Sequence, residues 1–141
     1  MSYQICVAQA VNCVFVRHLE FILGVGLTAI NEAVEHADFK SGMNILRDTQ
    51  TIEHPDYMDY NWFKNDFDGI YREEHLLMQG SKFAWVVGSS ADYAKAHSWA
   101  LVTRTMQGQN RMAFRQVSLA FDWLGIPPDY VINYVPGAGS A

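Results

Sequence analysis

Two polar junctions carry most of the residue types from which chemistry could be built. "DTQT" (48–51) closes one apolar run, and "GSSAD" (88–92) follows another, "KFAWVV" (82–87). A strand-to-helix turn of the second kind aims backbone N–H groups and a helix dipole at an anion, which makes Gly88, Ser89 and Ser90 candidate phosphate or small-anion ligands. The stretch lacks the glycine spacing and lysine of a nucleotide-binding loop, and neither serine sits in a G-x-S-x-G elbow. Ser89 or Ser90 as a helix N-cap, with Asp92 complementing the dipole, fits the residues better. At the first junction Asp48 and Thr49 read as short polar side chains that hydrogen-bond a turning backbone. Arg47 beside them would complete a runner-up anion-binding or enzymatic site at parallel strand ends, where open α/β sheets place ligands. The five histidines, 18, 36, 54, 75 and 97, have no pair spaced for one helix turn, so no metal site and no cofactor is expected. Glu73, Glu74 and His75 with His97 read as an exposed helix end, and His97 as a core-edge histidine. No acid, base and oxyanion donor come together, which favours a non-enzymatic protein.

Something must position these residues, and composition bounds what it is. The 141 residues are 50% hydrophobic and 18% charged, which suits one compact soluble domain with its own core. Lys and Arg number 10 against 15 Asp and Glu, a net charge of -5 with no basic stripe, so nucleic acid and anionic membranes are poor partners. With no spanning apolar run and no signal-peptide pattern, a cytoplasmic location and reduced Cys6 and Cys13 are expected.

Residues 3–8 and 11–17 alternate β-branched and aromatic types around a break at Gln9 and Ala10, predicting an antiparallel pair. Leu23, Leu27, Ile30, Val34 and Ala37 have helical spacing. Strands follow at 43–46, 82–88 and 112–114, with helices over 56–78, 91–107 and 117–124, the last stopped by Gly125 and Pro127-Pro128. The order ββαβαβαβα predicts a single α/β domain, a mostly parallel mixed sheet covered by helices. Residues 127–141 read as a partly extended, mobile tail in which "DYVINYV" (129–135) alternates like an edge strand.

The runs "DFKSGMNILRD" (38–48), "KFAWVVGSSADYAKA" (82–96) and "RMAFRQVSLAFDWLG" (111–125) resemble the SpoIIAA-like family of small bacterial proteins, which is related to STAS domains and in fold to CRAL-TRIO proteins. The resemblance covers about residues 3–126 and rests mostly on packing positions. It implies a STAS fold and a role in binding other proteins or small ligands. Some members are switched by phosphorylation of a serine after the third strand. Here that serine is missing, leaving Thr49 and Thr51 as the corresponding phosphosites, while Pro55 delays the helix whose N-terminus would hold the phosphate.

Projected at about 100° per residue, both long helical segments carry two apolar stripes. Tyr60, Phe63, Phe67, Ile70 and Tyr71 form one, and Met58 and Trp62 lie away from it. Tyr93, Ala94, His97, Ala100 and Leu101 form the expected sheet-facing stripe of the next, with Trp99, Val102 and Met106 opposite. The surplus around Met58, Trp62, Trp99, Val102 and Met106 calls for a neighbouring helix, a homodimer contact, a protein partner or an apolar ligand. The expectation is a non-enzymatic regulatory or binding domain that presents this surface.

Overall fold

The computed structural model describes residues 2–22, 24–59, 61–62, 80–107 and 110–139; the side chains at 25, 27, 103 and 105–107 are not among those described. Strands β1 (Tyr3–Ala8) and β2 (Cys13–His18) are antiparallel, Ala8 opposite Cys13. A short 3-10 turn, Gln9–Val11, joins them, and Asn12 takes the left-handed conformation with φ 51°, which Asn tolerates better than most residues. Helix α1 (Val25–Glu35) crosses to β3 (Asn44–Thr49), and β4 (Lys82–Val87), α2 (Ser90–Gln107), β5 (Asn110–Phe114), α3 (Val117–Leu124) and β6 (Val135–Pro136) complete the described elements. The sheet order is β5-β4-β3-β2-β1-β6, parallel from β2 through β5 and antiparallel at β1 and β6. This is the expected α/β class with a mixed, mostly parallel sheet. Of the helix predicted over 56–78, Asn61 and Trp62 are helical, while Tyr60, Phe63, Phe67, Ile70, Tyr71, Glu73, Glu74 and His75 lie outside the described residues.

The central strands are buried on both faces, as their continuous apolar runs require. On one face Ile30, Ile45, Trp85 and Trp99 knit α1 and α2 to the sheet. On the other, Phe15, Leu46, Val86 and Phe121 do the same for α3. Gly125, at φ 74°, ends α3 in a Schellman turn: its N–H donates to Asp122 O at 3.2 Å and that of Ile126 to Phe121 O at 2.9 Å.

Apart from Ala100, the faces of α2 are the reverse of the reading from its stripes. Asp92, Ala96, Trp99, Ala100 and Val102 are buried, whereas Tyr93 and Leu101 stand exposed and Ala94 and His97 face outward with them. Two alanines let the helix approach a strand already carrying Trp85, and Trp99 fills the gap edge-on at 4.9 Å. Trp99 and Val102 are therefore core and not a presented surface; the side chain of Met106 lies outside the described residues.

The tail is pinned at several points. Tyr130, Ile132 and Tyr134 pack on the α3 face, and Val135–Pro136 pairs with β1. Gly137 comes so close to the Tyr3 ring that a Cβ there would sit 2.0 Å from it. The Tyr3 hydroxyl donates to Glu32 at 2.7 Å and accepts the Gly139 N–H at 3.0 Å. Burial and the Glu32 carboxylate push the Tyr3 phenol up to about 12.

Candidate ligand-binding site

Parallel strands end together, so β2, β3 and β4 deliver His18, Thr49 and Val87 to one edge of the sheet. Just inside that edge, on the α1 face, lies a cavity of about 40 Å³. Its floor is polar: His18, Arg47, Thr49 and His54, all at least nine-tenths buried. Its walls are Trp85, Met58, Ile52, Phe21 and the half-buried Trp62. Exposed Glu20, Ile22 and Gly24 stand at the rim, with Gly26 in the first turn of α1. Gly24 takes φ 87° to start the helix, a conformation that costs glycine little.

Thr49 is the hub. Its hydroxyl lies 3.0 Å from Val86 O, Trp85 Nε1 donates to it at 3.0 Å, and His54 Nε2 lies 2.9 Å away. A hydroxyl has one proton and two lone pairs. Trp85 is solely a donor, and Val86 O solely an acceptor, so the proton goes to Val86 and the second lone pair takes a proton from His54 Nε2. The reverse arrangement would leave two oxygens facing each other at 3.0 Å without a hydrogen. His54 is accordingly the neutral Nε2–H tautomer, and its Nδ1 carries a lone pair. That nitrogen is buried and has no hydrogen-bond partner among the described residues.

The second junction holds His54 in place. Ser89 Oγ caps α2 by accepting the Asp92 N–H at 3.1 Å, and the buried Asp92 carboxylate accepts the His54 backbone N–H at 3.3 Å. Lys95 donates to the carbonyls of His54 and Pro55, both at 3.1 Å. The His54 ring lies 4.9 Å from that of Trp85. Burial keeps the ring neutral, lowering its pKa to about 4; Asp92 opposes this, while Lys95 and Arg47 reinforce it. His18 falls to about 3, first through burial and then through the charges of Arg47 and His54. Arg47 itself donates to Gly26 O at 3.4 Å and lies over Phe83 and Trp85. The cavity thus joins two neutral imidazoles to one fixed cation, a donor fork that stays charged at any physiological pH.

Of the residues singled out from sequence, Met58, Trp62, Thr49 and Arg47 meet here. Met58 is buried in the turn after Pro55, and Trp62 packs beside it. Thr49 is 3% exposed with its hydroxyl fully engaged, which takes it away from a kinase; Thr51 is exposed on the turn. Asp48 accepts the Gln50 N–H at 2.9 Å, as a turn residue does, and lies on the opposite face near Arg17. Gly88 is required where the chain passes Gln50, since a Cβ would stand 2.1 Å from its carbonyl oxygen. Arg115 donates to Gly88 O at 3.2 Å and to Ser90 Oγ at 3.0 Å, so the polar groups of the turn are largely used within the chain. His18, His54, Phe21 and Trp85 were missed as site residues. For His18, Phe21 and His54 the signal is position, since each ends or follows a strand of the parallel set, whereas Trp85 lies within β4.

Among the described residues no cluster of three or more His, Cys, Asp or Glu could hold a metal ion, and no helix is long and apolar enough to cross a membrane. No known protein family, curated protein or solved structure matches the chain.

Proposed function

We propose that the chain is a non-enzymatic, STAS-like binding domain whose ligand is a small molecule with an apolar body and a neutral donor–acceptor head. A primary carboxamide is the simplest such head. The observation that carries the reading is the buried Nδ1 of His54: an N–H or O–H from a ligand supplies the partner that the described residues do not. Arg47 sets its positive charge beside the same cavity, which favours a carbonyl oxygen there, and the aromatic and thioether walls suit an apolar body. A carboxylate fits less well, because its second oxygen would face the Nδ1 lone pair. The volume accommodates only the head of such a ligand, a water being satisfied by roughly 10–15 Å³ of this kind of space.

The same hydrogen bonds argue against catalysis. A nucleophile is activated when it donates to a base. Here the Thr49 oxygen accepts from His54, so the pair runs in the opposite sense.

Titrating propionamide and, separately, propionate at neutral pH against amide shifts tests this. Propionamide is expected to move the amides of Gly24, Gly26 and His54, and Trp62→Ala to weaken its binding. If neither compound moves them, the binding reading fails; if propionate alone does, the head-group assignment fails.

A further inference from the structure

A different surface lies at the far side of the sheet. Among the described strands β5 is the outer one, and such an edge leaves every second residue's N–H and C=O pointing away from the sheet. The Arg111 carbonyl accepts from the Arg104 guanidinium, so it points outward, and by the two-residue repeat so do the N–H and C=O of Ala113. Residues 111 and 113 face α2, while Phe114 and Met112 face α3.

Exposed apolar side chains flank this edge on both sides. Tyr93 (37%) and Leu101 (46%) rise from α2, Met112 (36%) from the strand and Leu119 (54%) from α3. Together they line one open groove of about 460 Å³. Among the described residues the charge along it has one sign: Arg104 stands by the start of β5 and Arg115 at its end, both exposed, and no described acidic residue lines the groove, although the whole chain is acidic. A second copy docked edge to edge would set arginine against arginine, whereas an acidic strand would meet opposite charge at both ends.

We infer that the β5 edge receives an extended acidic segment of a partner protein, added to the sheet as a further strand. Its backbone pairs with Ala113, alternate apolar side chains settle on the α2 and α3 flanks, and its carboxylates meet Arg104 and Arg115. This is independent of the strand-end cavity.

The test is fluorescence anisotropy with a short labelled peptide alternating valine and glutamate. It should bind with an affinity that falls as salt is added, and a valine–lysine peptide should bind at least about tenfold more weakly, the scale of about 1.4 kcal/mol in discrimination. Methylating the backbone nitrogens that face the edge should abolish binding, as should Leu119→Glu, a change at an exposed site. Arg115→Glu should reverse the preference between the two peptides. Equal binding of the lysine peptide, indifference to methylation, or no binding of the acidic peptide overturns the inference. So does self-association of the chain that Leu119→Glu removes, which would make a second copy the occupant.

Discussion

Thr49 shows how one side chain organises a site. Replacing it by valine keeps the shape but strips Trp85 Nε1 and His54 Nε2 of their shared acceptor. Taking this acceptor from two buried donors should cost about 2–4 kcal/mol in urea unfolding, while Thr49→Ser should cost under about 1 kcal/mol. The histidines make a second, separable prediction. Both have folded pKa values, about 3 for His18 and about 4 for His54, below the 6.5 of an exposed histidine. Between about pH 6.5 and 4 for His54, and down to about 3 for His18, the unfolded chain binds protons that the folded chain refuses. Stability from this source is whole above that window and is lost as pH falls through it. Near pH 5 the pair should contribute a slope of about 2.7 kcal/mol per pH unit, and His54→Gln should remove about half of it. None of this was legible in the sequence, because hydrogen-bond hubs join residues such as 49, 54 and 85 that have no periodic relation. Thr49 read there as a turn residue; its neighbour Asp48 is the one that makes the turn.

At the scale of elements, strands were the most legible. Four of the six described strands were placed to within about two residues at both ends, since β-branched runs bounded by turns leave little choice, while β3 runs three residues past its predicted end and β6 is far shorter than the stretch predicted for it. Helix faces were not. The buried arc of α2 contains Asp92, which counts against it in any tally of apolar residues, yet its carboxylate is buried for the His54 N–H. The outward arc contains Tyr93 and Leu101, which tip the count the other way. Glycine requirements were also hidden, because they depend on what the fold brings near. Gly137 illustrates this: Gly137→Ala would drive a methyl group into the Tyr3 ring. We expect it to detach β6, seen as new protease cleavage within residues 129–139 and loss of amide protection at Gly137, whose N–H donates to Tyr3 O at 3.1 Å. The core between the two helical layers should survive.

For the molecule as a whole, the α/β class and the mixed sheet followed from the order of elements, and the place of the cavity followed from strand direction. The stripe of α2 expected to be presented is buried instead. Trp99 and Val102 are consumed inside, while Tyr93, Leu101, Met112 and Leu119 are exposed around the β5 edge and other exposed apolar residues, such as Ile22, Tyr57 and Val131, lie elsewhere. If the cavity takes the ligand proposed, propionamide at about one hundred times its dissociation constant should add about 2.7 kcal/mol, raising the unfolding temperature, and Arg47→Met should lessen the gain. The central claim concerns one nitrogen, so nitrogen NMR of the His54 ring tests it most directly. At neutral pH the account predicts a protonated Nε2 and a bare Nδ1 whose resonance moves on adding propionamide. A proton resident on Nδ1, or an Nδ1 signal indifferent to every donor ligand, would contradict it.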